Sequence, residues 1–408
     1  MEILAWGQTD PGVIRDTNED SYLIRADLGL FAVADGMGGG HAGASASRVA
    51  LDAVASYLYT HREVLEVDVQ DVQPIDALPP LVDGAFQAAS LRVFNQASAV
   101  PRPVGQLLAS TVSMLVLTGS RGVVAHVGDS RIYLLRDREI YLISEDHNHL
   151  QVLIKNGLDP ILAARVPNAR ALTRVVGAQA RVEVDTLSFV PLPEDIFFLC
   201  TDGLYGLVSR EEIGALLRSD DLAEVPDRFI SLARERGAPD NVTAMVVQVR
   251  TSDGQSARTT RLQEETRLEM TTLANLELFG NLDYLDILEL LGRFQELHVP
   301  AGETLFVEGS TGSELYVIVQ GRVELRAAGR LLRILGRGAH FGEFALIDQR
   351  PRSATVTTLE PTHLLLLSLD QFNRLKREDP ARALGFYEVI ARRLSLNLRE
   401  ADQLLLKK

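Results

Sequence analysis

Short apolar runs separated by only a few residues dominate the first 250 residues of the chain, and this spacing restricts how they can pair. Such runs predict strands joined by tight turns, which favours antiparallel hairpins over the long crossovers that parallel sheets need. The predicted strands cover residues 22–25, 30–34, 111–117, 123–127, 132–135, 140–143, 196–200 and 243–249. Apolar residues at helical spacing predict helices over residues 44–59, 80–96, 148–156, 210–218 and 226–236. Many strands with a few helices indicate an α+β sandwich, in which helices flank the sheets.

The pattern changes beyond residue 250, and 408 residues exceed what one hydrophobic core usually organises. Residues 251–272 are polar and poor in β-branched aliphatic side chains, so we interpret them as a linker. From Val299 onward, glycines punctuate short strands, which indicates the tight turns of a small β-roll with flanking helices. The sequence therefore predicts a first domain at 1–250, a linker at 251–272 and a second domain at 273–408.

The end of the chain, residues 380–405, is predicted to form one long helix. Its apolar residues Tyr387, Ile390, Leu394 and Leu398 are three or four positions apart. Two interpretations stay open: the helix packs onto its own domain, or it pairs with a second copy in a homodimer.

Composition excludes several classes of function. The net charge of −14 argues against a chain built to neutralise the phosphates of nucleic acid. The one cysteine, Cys200, cannot form an internal disulfide, so the sequence does not imply an oxidising compartment. The N-terminus lacks the basic and apolar regions of a signal peptide, and no apolar run reaches the length of about 18 residues expected of a transmembrane helix. We therefore expect a cytoplasmic protein with neither nucleic acid nor membrane as a partner.

Acidic residues adjoin the ends of several strongly apolar runs. These positions are Glu19 with Asp20, Asp35, Asp129, Asp202 and Asp240. A single carboxylate at a strand end is usually a solvated turn residue, but several that meet at one sheet edge would repel one another unless cations neutralised them. Oxygen ligands select Mg²⁺ or Mn²⁺, whereas no histidine or cysteine pair has the spacing of zinc ligands. The pattern predicts a magnesium or manganese centre.

Arg15 lies four residues before Glu19. Read alone, it is an ordinary surface arginine. Beside a carboxylate cluster, its planar guanidinium can bind a phosphoryl group through two hydrogen bonds. Two metal ions about 3.5–4 Å apart can share a carboxylate and activate a water for in-line attack on phosphorus. The combination therefore indicates hydrolysis of a phosphate ester.

The motifs around these residues resemble those of the type 2C, metal-dependent (PPM) protein phosphatases. They are residues 15–20 (RDTNED), 35–39 (DGMGG), 127–131 (VGDSR), 145–147 (EDH), 172–174 (LTR), 201–203 (TDG) and 240–243 (DNVT). The resemblance implies an antiparallel α-β-β-α sandwich that hydrolyses phosphoserine and phosphothreonine at a dinuclear Mg²⁺ or Mn²⁺ centre between its sheets. It implies that Asp35 bridges both ions, that the carbonyl of Gly36 binds one, and that Asp202 and Asp240 complete the other.

The same resemblance implies supporting roles for other residues. Glu19 and Asp20 would hold water around the ions, and Asp129, with Asp202, matches the position of a third metal ion in bacterial members. Residues 147–172 look like the family's flap beside the active site. His41 is either a general acid for the leaving group or a loop histidine near a helix start.

A second group of residues lies in the glycine-punctuated part, in the segments 341–347 (FGEFALI) and 350–355 (RPRSAT). Gly342 begins a turn whose free N–H groups can bind an anion, Arg352 can pair with a phosphate, and Glu343 can accept a hydrogen bond from a ribose hydroxyl. The segment resembles the phosphate-binding cassette of cyclic-nucleotide-binding domains, a likeness that extends over about residues 279–405. Ser353 occupies a position that influences base selection in such domains, and we favour cAMP over cGMP as the ligand.

The sequence thus predicts a protein-serine/threonine phosphatase that is regulated by a cyclic nucleotide and acts on phosphorylated proteins, including substrates of a serine/threonine kinase. One alternative keeps the phosphatase but makes the roll a ligand-free interaction module. The other is a catalytically inactive scaffold that senses a nucleotide; intact Arg15, Asp35, Asp202 and Asp240 argue against it.

Overall fold

The polypeptide divides into two compact units, Met1–Gln263 and Glu264–Lys408, which we call the N-terminal and C-terminal units. The computed structural model describes residues 1–39, 41–66, 78–99, 107–119, 121–251, 257–276, 284–343 and 350–378, together with 383, 384, 387 and 391. The boundary between the units falls inside the segment that the sequence suggested as a linker.

The N-terminal unit alternates strands and helices much as the sequence predicts. Its strands are β1 (Glu2–Asp10), β2 (Asp20–Arg25), β3 (Leu30–Met37), β4 (Ala109–Ser110), β5 (Val112–Thr118), β6 (Arg121–Val127), β7 (Arg131–Arg136), β8 (Glu139–Leu142), β9 (Asp185–Phe189), β10 (Ile196–Cys200) and β11 (Val242–Arg250). Its helices are α1 (His41–Thr60), α2 (Arg62–Glu66), α3 (Leu78–Ala99), α4 (His149–Lys155), α5 (Pro160–Ala163), α6 (Asp202–Tyr205), α7 (Arg210–Leu217) and α8 (Val225–Glu235). The sequence did not predict β1 and β9, because both mix polar and small residues into their apolar pattern.

The strands form two antiparallel sheets. One has the order β1-β11-β10-β7-β8, and the other has the order β2-β3-β5-β6-β9 with β4 paired to β3. One apolar core lies between the second sheet and helices α1 and α3, and another between the first sheet and helices α6, α7 and α8. The sheets face each other, as the rings of Phe189 on β9 and Phe197 on β10 show with centroids 5.4 Å apart. The layers are therefore helix, sheet, sheet, helix, and the predicted α-β-β-α sandwich is confirmed.

The alternation of side chains along a strand explains where Asp35 lies. In β3, Ala32 and Ala34 belong to the core under the helices. Phe31 and Val33 are fully buried on the opposite face, towards the other sheet. Asp35 continues this second series, so its carboxylate lies at the end of the row between the sheets.

Within the predicted linker, residues 257–272 belong to helix α9 (Ala257–Ala274), which the sequence did not predict. Its buried residues include Gln263, Thr266, Met270 and Leu273, which are three or four positions apart and form one helical stripe. Polar composition concealed the stripe, since glutamine and threonine occupy buried positions that an apolar pattern would have marked. Among the described residues, no helix combines the length and apolar character that crossing a membrane requires.

The C-terminal unit contains the predicted β-roll. After α10 (Tyr284–Leu291) come β12 (Gln295–Val299), β13 (Thr304–Phe306), β14 (Glu314–Gln320), β15 (Val323–Ala327), β16 (Arg330–Leu335), β17 (His340–Phe341), β18 (Thr355–Thr358), β19 (Thr362–Ser368) and α11 (Leu369–Glu378). Two sheets with the orders β12-β19-β14-β17 and β13-β18-β15-β16 enclose an apolar core that includes Val299, Ile318 and Leu364. Apart from residues 383, 384, 387 and 391, the predicted terminal helix at 380–405 lies outside the described residues. Residues 344–347 of the predicted cassette lie outside them as well.

Candidate functional site

Asp20 and Asp35 face each other across neighbouring strands. Asp20 opens β2, Asp35 lies near the end of β3, and the register makes them direct partners. Burial raises the pKa of Asp35 well above its usual range, and the charge of Asp20 raises it further. Burial also raises the pKa of Asp20 to about 7, although the hydroxyls of Thr243 and Thr201 each donate a 2.7 Å hydrogen bond to its Oδ2. Two carboxylates in this arrangement destabilise a sheet unless a cation neutralises them.

Three more carboxylates reach the same region from other strand ends. Asp129 follows β6, Asp202 follows β10, and Asp240 precedes β11. The charges of Asp20, Asp202, Asp129 and Asp240 all raise the pKa of Asp35. Burial and then the charge of Asp202 raise the pKa of Asp129 to about 7, and burial followed by Asp240 raises the pKa of Asp202. The structure thus brings the five aspartates together from both sheets.

The backbone around Glu19 is fixed by its neighbours. Its N–H donates to Oδ1 of Asn241 (2.8 Å), and its carbonyl accepts from the N–H of Gly36 (3.1 Å) and Oγ of Ser47 (2.6 Å). A Cβ on Gly43 would lie 1.8 Å from Oε2 of Glu19, so this carboxylate reaches the first turn of α1. A Cβ on Gly36 would lie 2.0 Å from the carbonyl oxygen of Gly43, so only glycine fits at this crossing of β3 and α1.

Arg15 lies in the loop between β1 and β2. Its Nη2 donates a 2.9 Å hydrogen bond to Oδ2 of Asp240, and both side chains are about half exposed. The guanidinium therefore lies next to the carboxylate cluster and is accessible to a substrate.

Sequence reasoning assigned no role to the side chains that hold this loop and these carboxylates in place. Nδ2 of Asn241 donates 2.9 Å hydrogen bonds to the carbonyls of Pro11 and Thr17, which fastens the loop carrying Arg15 to the start of β11. Asn241 and the two threonines that bind Asp20 all belong to the motifs 201–203 and 240–243. These three residues are close in sequence to Asp202 and Asp240, and this proximity could have indicated their supporting role.

The backbone immediately before Asp129 is held by a second network. The N–H of Gly128 donates to Nδ1 of His147 (3.1 Å), so Nε2 of His147 carries the proton and donates to Oδ2 of Asp185 (2.9 Å). Arg174 donates to the other oxygen of Asp185 at 2.6 Å. Burial opposes ionisation of Asp185, but His147 and Arg174 lower its pKa below the usual value. His147 of the motif 145–147 and Arg174 of the motif 172–174 therefore do not need to contact Asp129 directly. They hold the backbone that precedes it, through Gly128 and Asp185.

Two further predicted features have a clear position but no tested role. The predicted flap at 147–172 contains α4 and α5 and exposes Ile161 and Leu162. His41 is exposed at the first position of α1. Flap function and acid catalysis by His41 stay predictions.

The donor set fits hard divalent cations. The converging groups are carboxylates, which are the ligand type that Mg²⁺ and Mn²⁺ prefer. The carbonyl oxygen of Gly36 lies near the carboxylate of Glu19, since a Cβ on Gly43 would be 2.8 Å from the first and 1.8 Å from Oε2 of the second. Burial, and after it the charges of neighbouring aspartates, raise the pKa values of Asp35 and Asp129, so a cation bound among these carboxylates would be favoured. The residues present therefore suit a cation centre in which Asp35 is central.

We expect manganese to stabilise the N-terminal unit more at about pH 8 than at about pH 5.5. Asp20 and Asp129, with pKa values raised to about 7, bind more protons in the folded protein than in the unfolded chain between roughly pH 4 and 7. Stability of the metal-free protein thus falls as pH rises through that window, and a cation restores it by replacing the protons. At about 100-fold excess over its Kd, Mn²⁺ should raise Tm by about 5–10 °C at the higher pH. Thermal unfolding followed by the fluorescence of Trp6, the sole tryptophan, measures this, and equal shifts at both pH values would contradict it.

In the C-terminal unit, the structure brings Gly342 and Arg352 together. The buried guanidinium of Arg352 donates to Oε2 and to the backbone carbonyl of Glu314 at 2.6 and 3.0 Å, and lies 4.1 Å from the ring centroid of Phe306. Gly342 has a φ of +84°, and a Cβ there would lie 2.8 Å from Nη1 of Arg352. The sequence did not single out Glu314, which binds the arginine expected to bind phosphate.

Among the described residues, Nε of Arg352 has no hydrogen-bond partner although it is buried. A buried donor of this kind is costly, so an anion bound beside it would be favoured. Glu343 is half-buried and Ser353 is exposed, and the residues between Glu343 and Arg350 lie outside the described part of the chain.

Each of the two units matches the model of a known protein family. Residues 15–246 match the family model of protein phosphatase 2C, and residues 296–379 match that of the cyclic nucleotide-binding domain. Because the first match covers more than half of the chain, the protein belongs to the protein phosphatase 2C family.

Several bacterial phosphatases are similar to the N-terminal unit. The serine/threonine protein phosphatase PstP of Mycobacterium tuberculosis is 33% identical over 243 residues, which are 59% of this chain and 44% of PstP. The chain therefore spans less than half the length of that relative. The serine/threonine phosphatase stp of Listeria welshimeri is 31% identical over 255 residues, covering 59% of this chain and 94% of stp. The crystal structure of the PstP catalytic domain in complex with two manganese ions matches with a TM-score of 0.51 and 32% identity, over 61% of this chain and 99% of that one.

Proposed function

We propose that this protein hydrolyses phosphoserine and phosphothreonine on proteins with two divalent cations, Mg²⁺ or Mn²⁺, bound between the sheets of its N-terminal unit. The observation that carries the proposal is the convergence of five aspartates from both sheets, each next to the charge of another. Membership of the protein phosphatase 2C family and the two manganese ions bound by the PstP catalytic domain support it.

Each residue would contribute through its position. Asp35, central among the charges, would bridge the two ions, and the carbonyl of Gly36 would bind one of them. Asp202 and Asp240 would complete the coordination of the other ion. Glu19 and Asp20 would orient water around the pair, because the backbone of Glu19 and the carboxylate of Asp20 are held by hydrogen bonds. Asp129, with Asp202, would bind a third, weaker cation.

Substrate binding is assigned to Arg15. Its guanidinium donates to Asp240, so a phosphoryl group bound by the same fork would lie beside a cation ligand. When bound, the cations neutralise phosphoryl charge and lower the pKa of a water that attacks phosphorus. Of the chain's own residues, Arg15 would bind the phosphoryl oxygens, and Glu19 and Asp20 would orient the water.

A phosphothreonine peptide, incubated with the full chain and Mn²⁺ or Mg²⁺, tests the proposal. We expect phosphate release that stops on addition of a chelator and returns with fresh metal. Absence of release with either ion would favour the scaffold interpretation.

We further propose that a cyclic nucleotide, with cAMP favoured over cGMP, binds the C-terminal unit and changes phosphatase activity. The match to the cyclic nucleotide-binding domain, and the buried Arg352 beside Gly342, support binding. Coupling requires that the nucleotide have different affinities for two states of the protein. Phosphopeptide hydrolysis at saturating cAMP or cGMP tests the coupling, and unchanged activity with both would contradict it.

Arg352→Ala should weaken nucleotide binding by at least about 10–100-fold, because a charge-assisted contact with the phosphate is lost. Calorimetry of the full chain measures the affinity. Arg352→Lys keeps the charge but loses the planar fork, so intermediate binding is expected if the variant is folded by circular dichroism. Arg322→Ala is the matched control, since Arg322 pairs with Glu360 at an exposed position of the same unit. If wild type binds neither nucleotide, the ligand-free module becomes the better interpretation.

Phosphorylated proteins are the partners that this chemistry requires, and we propose that some are substrates of a serine/threonine kinase. A homodimer through residues 380–405 and a cytoplasmic location stay predictions from the sequence.

A further inference from the structure

A cluster of histidine and glutamate side chains lies at the edge of the C-terminal unit, apart from the residues assigned to the nucleotide. Glu296, His298 and His363 each offer one ligand atom, and these three atoms lie within 4.8 Å of one another. The register of β12 and β19 explains the grouping, because His298 pairs directly with His363. Glu296 is two residues from His298 and therefore on the same face of the strand. The two imidazole rings stack with centroids 4.3 Å apart.

A fourth side chain reaches the cluster from helix α9. Oε1 of Glu269 lies 3.1 Å from Nε2 of His363, and the two residues are only 2% and 6% exposed. These two atoms form an ion pair when Nε2 of His363 carries a proton, and within the described part of the chain neither has a hydrogen-bond partner beyond the other. A cation beside the pair would give both buried atoms a further partner. Glu269 is not among the three residues whose ligand atoms lie within 4.8 Å of one another, so it joins the cluster through His363.

The charges of the cluster also favour a cation. The negative charges of Glu269, Glu296 and Glu265 all act on the imidazole of His363. The carboxylates therefore have an excess of negative charge that a bound cation would offset.

We propose that Glu269, Glu296, His298 and His363 bind one divalent transition-metal ion of the zinc class. Two imidazole ligands select such an ion over Mg²⁺ and Mn²⁺, which prefer the oxygen ligands of the phosphatase centre. The proposal goes beyond the proposed function, since neither hydrolysis nor nucleotide binding uses these residues. The four residues all lie within the C-terminal unit, where the ion would hold the C-terminal part of α9 to the edge formed by β12 and β19.

Zinc binding by the full chain tests the proposal. Equilibrium dialysis in excess Mg²⁺, with elemental analysis, compares wild type with the Glu296→Gln/His298→Ala double variant. Both residues are exposed on an edge strand, so the fold should be retained, and circular dichroism checks this. We expect one more Zn²⁺ per chain in the wild type, and an affinity at this site that falls by more than the roughly 10–100-fold typical of losing an outer-shell partner. Equal zinc content in the two proteins overturns the proposal.

Two further variants distinguish a four-residue metal site from a simple ion pair. His61→Ala removes an exposed histidine from the N-terminal unit and should leave the zinc content unchanged. Glu269→Gln should weaken zinc binding by at least about 10-fold. If Glu269 and His363 form only an ion pair, Glu269→Gln leaves zinc binding unchanged, and the four-residue site is wrong. Co²⁺ provides an independent readout, because visible absorption from a histidine-bound ion should appear in the wild type and be lost in the double variant.

Discussion

Replacement of Asp35 by asparagine is expected to lower kcat for phosphopeptide hydrolysis by about 10³-fold, because cations that stabilise the transition state by several kcal/mol would lose their shared ligand. The same change should raise the Tm of the metal-free protein. Asp35 is crowded by four other carboxylates, whose charges raise its pKa together with burial, so a neutral side chain relieves repulsion. Assays with Mn²⁺ and thermal unfolding in a chelator measure the two effects.

A lower kcat together with a higher Tm of the metal-free Asp35→Asn protein distinguishes loss of a metal ligand from misfolding, because misfolding would lower both. Asp52→Asn makes the same chemical change at an exposed position of α1 and should alter neither quantity. Full activity of the Asp35→Asn protein would contradict a centre built around this carboxylate, whereas a lowered metal-free Tm would contradict the repulsion among the aspartates.

Asp195→Ala should lower the free energy of unfolding of the N-terminal unit by about 3–5 kcal/mol. Asp195 pairs with Arg136 of β7 through hydrogen bonds of 2.7 and 2.5 Å, and the side chains are 1% and 4% exposed. Its Oδ2 also accepts the N–H of Leu192 at 2.7 Å. Burial raises the pKa of Asp195 even though Arg136 lowers it, so desolvation outweighs the attraction. Removing the carboxylate leaves the buried positive charge of Arg136 without the negative charge that neutralises it.

Guanidinium chloride unfolding followed by Trp6 fluorescence measures this loss, because Trp6 packs against the core of the same sheet. The Arg136→Met/Asp195→Leu double variant should lose less than Asp195→Ala alone, since no buried charge remains. Glu224→Ala, which breaks an exposed i,i+4 pair with Arg228, should cost only about 0.3–0.5 kcal/mol. If Asp195→Ala lowers the free energy of unfolding by no more than Glu224→Ala does, the prediction is contradicted. That result would show that the guanidinium of Arg136 reaches water in the variant.

Much of the acidic cluster could be predicted before the fold was known. A carboxylate beside an apolar run indicates a strand end, and Asp35 and Asp202 were found in this way. The direction of Asp35 also follows from alternation, because it is two residues beyond the inward-facing Val33. The side chains that bind these carboxylates were not predicted, since the partnership of Thr201 and Thr243 with Asp20 spans residues far apart in sequence.

In the C-terminal part, too, the sequence did not reveal features that depend on contacts between distant residues. The segment read as a linker is helical, because its buried stripe consists partly of Gln263 and Thr266, which composition does not distinguish from exposed residues. The pairing of Arg352 with Glu314 depends on which loop meets β14.

The sequence by itself determined the two-part organisation, the sandwich and the roll, and the acidic strand ends, because each depends on patterns within a few neighbouring residues. Only the tertiary structure decided which side chains from distant strands meet. The cluster of Glu296, His298 and His363 exists because β12 pairs with β19 in one register, and a shift of one residue would turn Glu296 and His298 to the opposite face.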